Sequence, residues 1–371
     1  MSEGTVPGIG WPHRPHEEVV GTRLGWVSHE TTRRDVSRET TPEPPEQNNV
    51  TASAFGPTPG PGSPTVQRAG DATALGQLED GTTPLAAAVA EEVGRLTLDT
   101  RPFDRPESTR VFVVANQKGG VGKTTSTVNI AAAMAQHGQR VLVVDLDPQG
   151  NASTALRIDH AQGTPGVYEV IVEGEPLESV IRPCPDIDNL EVVPASIDLA
   201  GAEIELVSLV ARESRLKSSL DDYLKNRAAD ERRIDYVFID CPPSLGLLTV
   251  NALVAGREML IPIQCEYYAL EGLSQLMRNV DLIKSHLNPE LNVSTILLTM
   301  HDARTRLSAG VADEVRQYFG DLVLSTAVPR SVRISEAPSY QQSVMTYDPT
   351  SPGAMSYLEA SREITQSKEA R

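Results

Sequence analysis

The stretch Val111-Phe-Val-Val-Ala-Asn-Gln-Lys-Gly-Gly-Val-Gly-Lys-Thr-Thr125 constrains this chain more than any other, because a β-favouring run enters a glycine-rich turn and leaves it as a helix. Gly119, Gly120 and Gly122 have no Cβ, so their backbone can take φ > 0 and bring several N–H groups to bear on one anion. A helix starting near Lys123 adds the positive end of its dipole. Lys123 reaches the β- and γ-phosphates of a nucleotide as a point charge, and the Thr124 hydroxyl is placed to ligate Mg²⁺. The stretch reads as a phosphate-binding loop. It departs from the common form, which has glycine five residues before Gly122: Gln117 stands there, and a second lysine, Lys118, opens the glycine run.

Two further stretches place carboxylates beside that loop. In Val141-Leu-Val-Val-Asp-Leu-Asp-Pro-Gln-Gly-Asn151, Asp145 and Asp147 fall at the C-terminal end of a strand, where open α/β sheets bind ligands, and the register points both the same way. A helix cap is the alternative role for Asp147. In Tyr236-Val-Phe-Ile-Asp-Cys-Pro-Pro-Ser244 an apolar strand ends in Asp240, the arrangement that holds a magnesium-bound water, and Pro242 and Pro243 stiffen the loop that follows. Cys241 reads as a small buried residue.

From Arg110 onward, short apolar runs alternate with helical stretches. Val111–Ala115, Val141–Leu146, Leu190–Val193, Tyr236–Asp240, Met259–Ile263, Thr295–Thr299 and Leu322–Val328 read as strands with little polar alternation, the pattern of strands buried on both faces. The fold class is therefore α/β, a doubly wound, mostly parallel sheet flanked by helices. Helices are expected over Thr124–His137, ending at Gly138, over a long segment Leu199–Asn226, and near Ser244–Ala255, Glu266–Leu287 and Leu307–Phe319.

Residues 1–108 differ in kind, with 13 of the 27 prolines, nine Arg, no Lys and 16 Asp+Glu. Such composition cannot bury a core, so the domain division is a disordered arm over 1–108 and a P-loop domain over 109–371. Within the arm, Pro84 to Leu98 carries Leu85, Val89, Val93 and Leu96 at helical spacing, which fits either a docking helix or a transient one. Trp11 and Trp26 are candidate partner anchors there, with chance hydrophobes the alternative. No secretory signal or long apolar span is present, and three scattered cysteines, Cys184, Cys241 and Cys265, fit a reduced, cytoplasmic protein without a membrane partner.

Lys118-Gly-Gly-Val-Gly-Lys-Thr-Thr125 resembles the deviant Walker A motif of the ParA/MinD group of P-loop ATPases. The resemblance extends through Gly201-Ala-Glu-Ile-Glu-Leu206, Cys241-Pro-Pro-Ser-Leu-Gly-Leu-Leu-Thr-Val-Asn-Ala252, Gln264-Cys-Glu-Tyr-Tyr-Ala-Leu-Glu-Gly-Leu273, Asp302-Ala-Arg-Thr305 and Val328-Pro-Arg-Ser-Val-Arg-Ile-Ser-Glu-Ala-Pro338. From about Arg110 to Leu358 the chain is similar to the chromosomal (Soj-type) ParA partition ATPases. That resemblance implies an ATP- and Mg²⁺-dependent homodimer that binds double-stranded DNA without sequence preference, sits on the nucleoid in the cytoplasm, and is stimulated by a ParB-type centromere-binding protein. It leaves open whether the cargo is a chromosome or a plasmid.

Carried over by position, the resemblance implies that Gly119, Gly120, Val121, Gly122, Lys123, Thr124 and Thr125 hold the phosphates, while Lys118 acts across the dimer. Lys118, Lys123 and Asp147 are the catalytic residues, and Asp147 positions or activates the attacking water. Thr124, Asp145 and Asp240 serve the metal. Asn251, Pro329 and Arg330 fall where relatives hold the base and neighbouring interface. Arg304 and Arg333, joined by Arg306 and Arg330, match the arginines of the DNA-binding face; a solvated surface is the alternative. Relatives also suggest the arm as a tether to a polar scaffold protein. A membrane-cycling ATPase needs a basic amphipathic C-terminal helix, absent from Ser356–Arg371. An iron–sulfur carrier needs bridging cysteines, and a plasmid ParA with a helix-turn-helix repressor needs helical periodicity through residues 1–100. A DNA-coating protein without activity is separated by an ATPase assay.

Overall fold

The computed structural model describes residues 101–266 and 269–367. The arm before residue 101, with the Pro84–Leu98 stretch and both tryptophans, lies outside the described residues. The chain runs β1 (Arg110–Val114), α1 (Lys123–Gln136), β2 (Val141–Asp145), α2 (Asn151–Ala155), α3 (Leu177–Val180), β3 (Arg182–Pro183), β4 (Leu190–Val193), α4 (Leu199–Leu206) and α5 (Arg215–Ala229). It continues β5 (Tyr236–Asp240), α6 (Leu247–Ala255), β6 (Glu258–Gln264), α7 (Ala269–His286), β7 (Asn292–His301), α8 (Arg306–Phe319), β8 (Val323–Pro329), α9 (Val332–Glu336), α10 (Val344–Tyr347) and α11 (Pro352–Gln366).

The strands form one sheet in the order β3-β4-β2-β5-β1-β6-β7-β8, parallel throughout except for β3, which runs antiparallel to β4. Successive strand residues feed opposite cores. Val111, Val113, Leu142 and Val144 pack under α4 to α8, and Phe112, Val114, Val141 and Val143 pack under α1, α2 and α11. Two apolar faces explain why the strand sequences show no polar alternation. Helix α1 is buried along most of its length, and its run Ile130-Ala-Ala-Ala-Met-Ala135 is small enough to lie between the sheet and α11.

The expected single helix over Leu199–Asn226 is two helices. Between α4 and α5, Ser208 Oγ donates to Glu205 O at 3.0 Å, Ser214 Oγ donates to Ala211 O at 3.2 Å, and Ala211 takes φ +53°. Serine hydroxyls bonded to nearby carbonyls offer the backbone an alternative to the helical ladder. The packed unit also begins before residue 109, where the sequence division ended the arm. Phe103 stacks on His137 with ring centroids 4.5 Å apart, its N–H donates to His137 O at 3.0 Å, and Arg105 pairs with the buried Asp235 at 2.9 Å.

At the N-terminal end of β1, Arg110 makes two bonds to Glu258, Nε to Oε1 at 2.7 Å and a terminal nitrogen to Oε2 at 2.6 Å. Its remaining nitrogen donates to Ile364 O at 2.7 Å near the end of α11, and the guanidinium lies 4.9 Å from the Phe112 ring centroid. Arg110→Ala strands a buried carboxylate and frees the end of α11. It is expected to cost about 3–5 kcal/mol in urea denaturation, with much of the loss recovered in Arg110→Met/Glu258→Met, which removes both charges. A loss under 1 kcal/mol for the single variant contradicts this role.

Candidate active site

The loop between β1 and α1 opens onto a cavity of about 380 Å³ at the C-terminal ends of the central strands, lined by Gly119, Gly120, Gly122, Lys123, Thr124, Thr125, Asp147 and Pro243, among others. Strand register sets the carboxylates. Val114 and Asp145 both lie opposite Asp240, so the ends of β1, β2 and β5 meet at one level. Gly122 caps α1 at φ +91° and Gly120 stands at φ +73°, a backbone that L side chains rarely adopt. A Cβ at Gly119 or Gly120 would meet nothing within 4 Å, so their backbone faces open space on the cavity side. The loop is braced from below: Asn116 Nδ2 donates to Pro262 O at 2.8 Å and its Oδ1 accepts Lys118 N at 3.0 Å, while Thr299 Oγ1 donates to Val121 O at 2.8 Å. Val121 is buried beneath the loop and does not line the cavity.

The two lysines part ways. Lys123 points inward and is buried; desolvation lowers its pKa, opposed by Asp240, Cys241 and Asp147. Lys118 turns away and pairs with Glu266 at 2.8 Å, both side chains more than a third exposed.

The two aspartates of the β2 stretch also diverge, against the expectation that they point together. Asp145 is fully buried. Its Oδ1 accepts Asp147 N at 3.2 Å and its Oδ2 accepts both Ser153 N and Ser153 Oγ at 2.8 Å. Both oxygens thus hold the loop and α2, and Asp145 does not line the cavity. Asp147 lines the cavity, and its Oδ1 accepts Gln149 N at 3.0 Å. Asp240 accepts Thr127 Oγ1 at 3.2 Å through Oδ1, while its buried Oδ2 has no hydrogen-bond partner. The Thr124 hydroxyl acts on the same carboxyl, and a buried carboxylate oxygen short of donors beside that hydroxyl fits a hydrated divalent cation.

Burial, then the neighbouring Asp145, pushes the Asp240 carboxyl well above its ordinary range; burial raises Asp145 to about 6. A carboxyl whose folded pKa exceeds its unfolded value, about 3.9, holds a proton that the unfolded chain releases. The nucleotide-free fold therefore loses stability as pH rises from about 4 through 6 on account of Asp145, and Asp240 adds a loss in the same direction that continues to higher pH. Asp240→Asn is expected to flatten that fall and to stabilise the nucleotide-free chain at pH 7 by about 1–2 kcal/mol, measured by urea denaturation at pH 5 and 7. A variant less stable than the parent at pH 7 contradicts it.

Three expected cavity residues are elsewhere. Asn251 is buried in α6, on the other face of the sheet, where Nδ2 donates to Arg212 O at 2.8 Å and Leu247 O at 2.9 Å and Oδ1 accepts Leu216 N at 3.3 Å. It ties α5 to α6. Pro329 and Arg330 close β8, with Arg330 N donating to His301 O at 3.2 Å, and neither lines the cavity. The far end of the cavity is instead made by Val128, Asn129, Thr154, Ile334, Pro338 and Val344. Asn129 holds that wall: Oδ1 accepts Val344 N at 2.8 Å and Nδ2 donates to Thr125 O at 2.7 Å.

The four arginines gather at the ends of β7 and β8. Arg304 and Arg306 flank the start of α8, Arg330 follows β8 beside His301, and Arg333 lies on α9; all four are exposed. The cysteines Cys184, Cys241 and Cys265 are all buried, and no group of three His, Cys, Asp or Glu suited to a metal occurs among the described residues. Helix α11 packs on α1 through Ala354, Tyr357, Leu358 and Ile364, and Ser126 Oγ lies 3.3 Å from Tyr357 OH, so it belongs to the core. No helix of the described residues is long and apolar enough to cross a membrane.

A parallel doubly wound sheet with a glycine turn over a buried lysine, and aspartates at the ends of two adjacent strands, defines the P-loop nucleotide-hydrolase class. A family model described as an AAA domain matches residues 109–293. The sporulation initiation inhibitor protein Soj of Bacillus subtilis is 50% identical over 255 residues, 69% of this chain and 98% of its own. The chromosome partitioning protein ParA of Myxococcus xanthus is 49% identical over 255 residues, 69% of this chain and 87% of its own. Among solved structures, a Mycobacterium smegmatis protein described as cobyrinic acid a,c-diamide synthase with bound ADP and magnesium is 36% identical, with a TM-score of 0.58 covering 68% of this chain and 92% of that one. The septum site-determining protein MinD of Pyrococcus horikoshii shares the fold at 24% identity and a TM-score of 0.57, covering 70% of this chain and 96% of that one. The chain belongs to the Soj/ParA family of chromosome-partitioning ATPases.

Proposed function

We propose that this protein is an ATPase that binds Mg²⁺ and ATP in the cavity under Gly119–Thr125, dimerises in the ATP state, then binds double-stranded DNA without sequence preference and drives chromosome partitioning. A ParB-type centromere-binding protein is its hydrolysis-stimulating partner, and the cell location is the nucleoid in the cytoplasm. The observation that carries this reading is one glycine-lined cavity that holds Lys123, Thr124 and Asp147, with the buried Asp240 carboxylate acting on Lys123 from the end of the neighbouring strand. The ADP and magnesium bound by the 36%-identical M. smegmatis structure support the choice of ligand.

In this reading the N–H groups of Gly119–Thr125 and the Lys123 ammonium hold the phosphates. Thr124 and Asp240 hold Mg²⁺ with its water shell, and the ion supplies neutralisation of charge developing on the transferred phosphoryl group. Asp147 orients the attacking water. Asp145 keeps Asp147 in place by fixing the loop between β2 and α2. Lys118, turned out of its own cavity, is available to a second subunit. The far wall, with Val128, Ile334, Pro338 and Val344, offers an apolar slot for the base.

Hydrolysis measured on the full chain with DNA alone, with the centromere-binding protein alone and with both tests this. The expected result is a low basal rate raised most by both together. A rate indifferent to either contradicts the partition reading while leaving the ATPase intact.

A further inference from the structure

The arginine face is not an open field of positive charge. Arg304 is held in a bidentate pair by Asp302, Nε to Oδ1 at 2.9 Å and a terminal nitrogen to Oδ2 at 3.0 Å, although its side chain is 89% exposed. Arg333 lies between two acids, Glu336 at 3.3 Å and Asp348 at 3.3 Å. Glu336 also accepts the Tyr347 hydroxyl at 3.4 Å, which steadies it. Arg306 and Arg330 have no carboxylate within ion-pair distance among the described residues, although Arg330 lies near enough to Asp302 to help hold its carboxyl at about 2, an effect led by Arg304. Two of the four arginines, Arg304 and Arg333, thus carry three carboxylates, each placed on a guanidinium in the bidentate or close geometry that a phosphate would use.

We propose that Asp302, Glu336 and Asp348 are built-in competitors of the DNA phosphates: they occupy Arg304 and Arg333 in the free protein, are displaced when DNA binds, and set the affinity of this face low enough for rapid release. The proposal rests on the assignment of these arginines to DNA binding. Each contact must break an existing ion pair before it neutralises a phosphate, and the freed carboxylate then repels the backbone it borders. A protein that must leave DNA in each nucleotide cycle gains from contacts that cost something to form. Asp302 also accepts Arg304 N at 3.1 Å, so Asn, which keeps an acceptor oxygen there, is the substitution that preserves the turn.

The test uses the full chain with Mg²⁺ and ATP on a random-sequence duplex across a salt series. Asp302→Asn and the double variant Glu336→Gln/Asp348→Asn are each expected to bind about two- to fivefold more tightly at 0.15 M salt and to dissociate more slowly, from the size of an exposed ion pair. Their slopes of log K against log salt are expected to steepen by up to about 0.9 for each arginine released. Asp221→Asn, which removes one negative charge, as Asp302→Asn does, from the pair with Lys217 on α5, is expected to leave affinity unchanged. Affinity that stays level or falls in both acid variants overturns the proposal, as does an equal gain in Asp221→Asn, which would reduce the effect to net charge. Arg304→Ala and Arg333→Ala separate the two levels. If they weaken binding while the acid variants do not strengthen it, only the competitor role fails; if they leave binding unaltered, the DNA face itself is misassigned.

Discussion

Asp147→Ala is expected to slow ATP hydrolysis by about 10²–10⁴-fold, the range that a positioning or general-base group contributes, while leaving ATP binding close to normal. The two effects separate because the phosphate cradle and the carboxylate come from different segments. Gly119–Thr125 are braced by Asn116 and Thr299, and neither brace involves the loop that carries Asp147. That loop is fixed instead by Asp145 and Ser153. Removal of the Asp147 side chain therefore takes away the group facing the water and keeps the site that holds the nucleotide. Single-turnover hydrolysis beside equilibrium ATP binding checks it, and the variant should accumulate as an ATP-bound dimer. Turnover at the parental rate would remove Asp147 from the chemistry.

Lys123→Ala is expected to weaken ATP binding by about 2–5 kcal/mol, a loss of more than tenfold at the least, because Lys123 is the only cation among the described residues that line the cavity. Its loss also leaves Asp240 and Asp147 facing the incoming phosphates without the ammonium that both now sense. Lys118→Ala should behave in the opposite way, keeping ATP affinity and losing dimerisation and turnover, since its ammonium lies outside the cavity on Glu266. Binding by fluorescent nucleotide titration, with sedimentation for assembly, distinguishes them. Comparable ATP affinity in both variants would mean that the two lysines do not divide their work in this manner.

The sequence was most legible where burial is two-sided. Tyr236–Asp240 ends where its apolar run ends, because a strand packed on both faces has no reason to carry a polar residue until it leaves the sheet. The phosphate loop was legible for a related reason: glycine at φ > 0 beside lysine is a combination that packing alone does not require. Asn251 shows the limit. Within Leu247-Leu-Thr-Val-Asn-Ala-Leu-Val-Ala255 an amide is surrounded by apolar residues on both sides, and a buried amide must find its partners in the protein. Here Arg212 O, Leu247 O and Leu216 N are those partners. The far wall of the cavity was hidden because Ile334, Pro338 and Val344 come from short turns after β8, whose placement depends on contacts such as Asn129 with Val344, 215 residues apart in sequence. Short elements of four or five residues carry no periodicity to read.

The net charge of −17 makes nucleotide-dependent DNA binding the sharpest demand on the whole account, since an acidic chain binds a polyanion only through a local patch and short-range screening. The direct measurement is assembly and binding to random-sequence duplex, followed on the same full-length sample with Mg²⁺ and either ATP or ADP. With ATP the expected result is a dimer that binds DNA with a steep loss of affinity as salt rises, and with ADP a monomer that binds almost none. The same assembly state and the same DNA affinity with both nucleotides would contradict it.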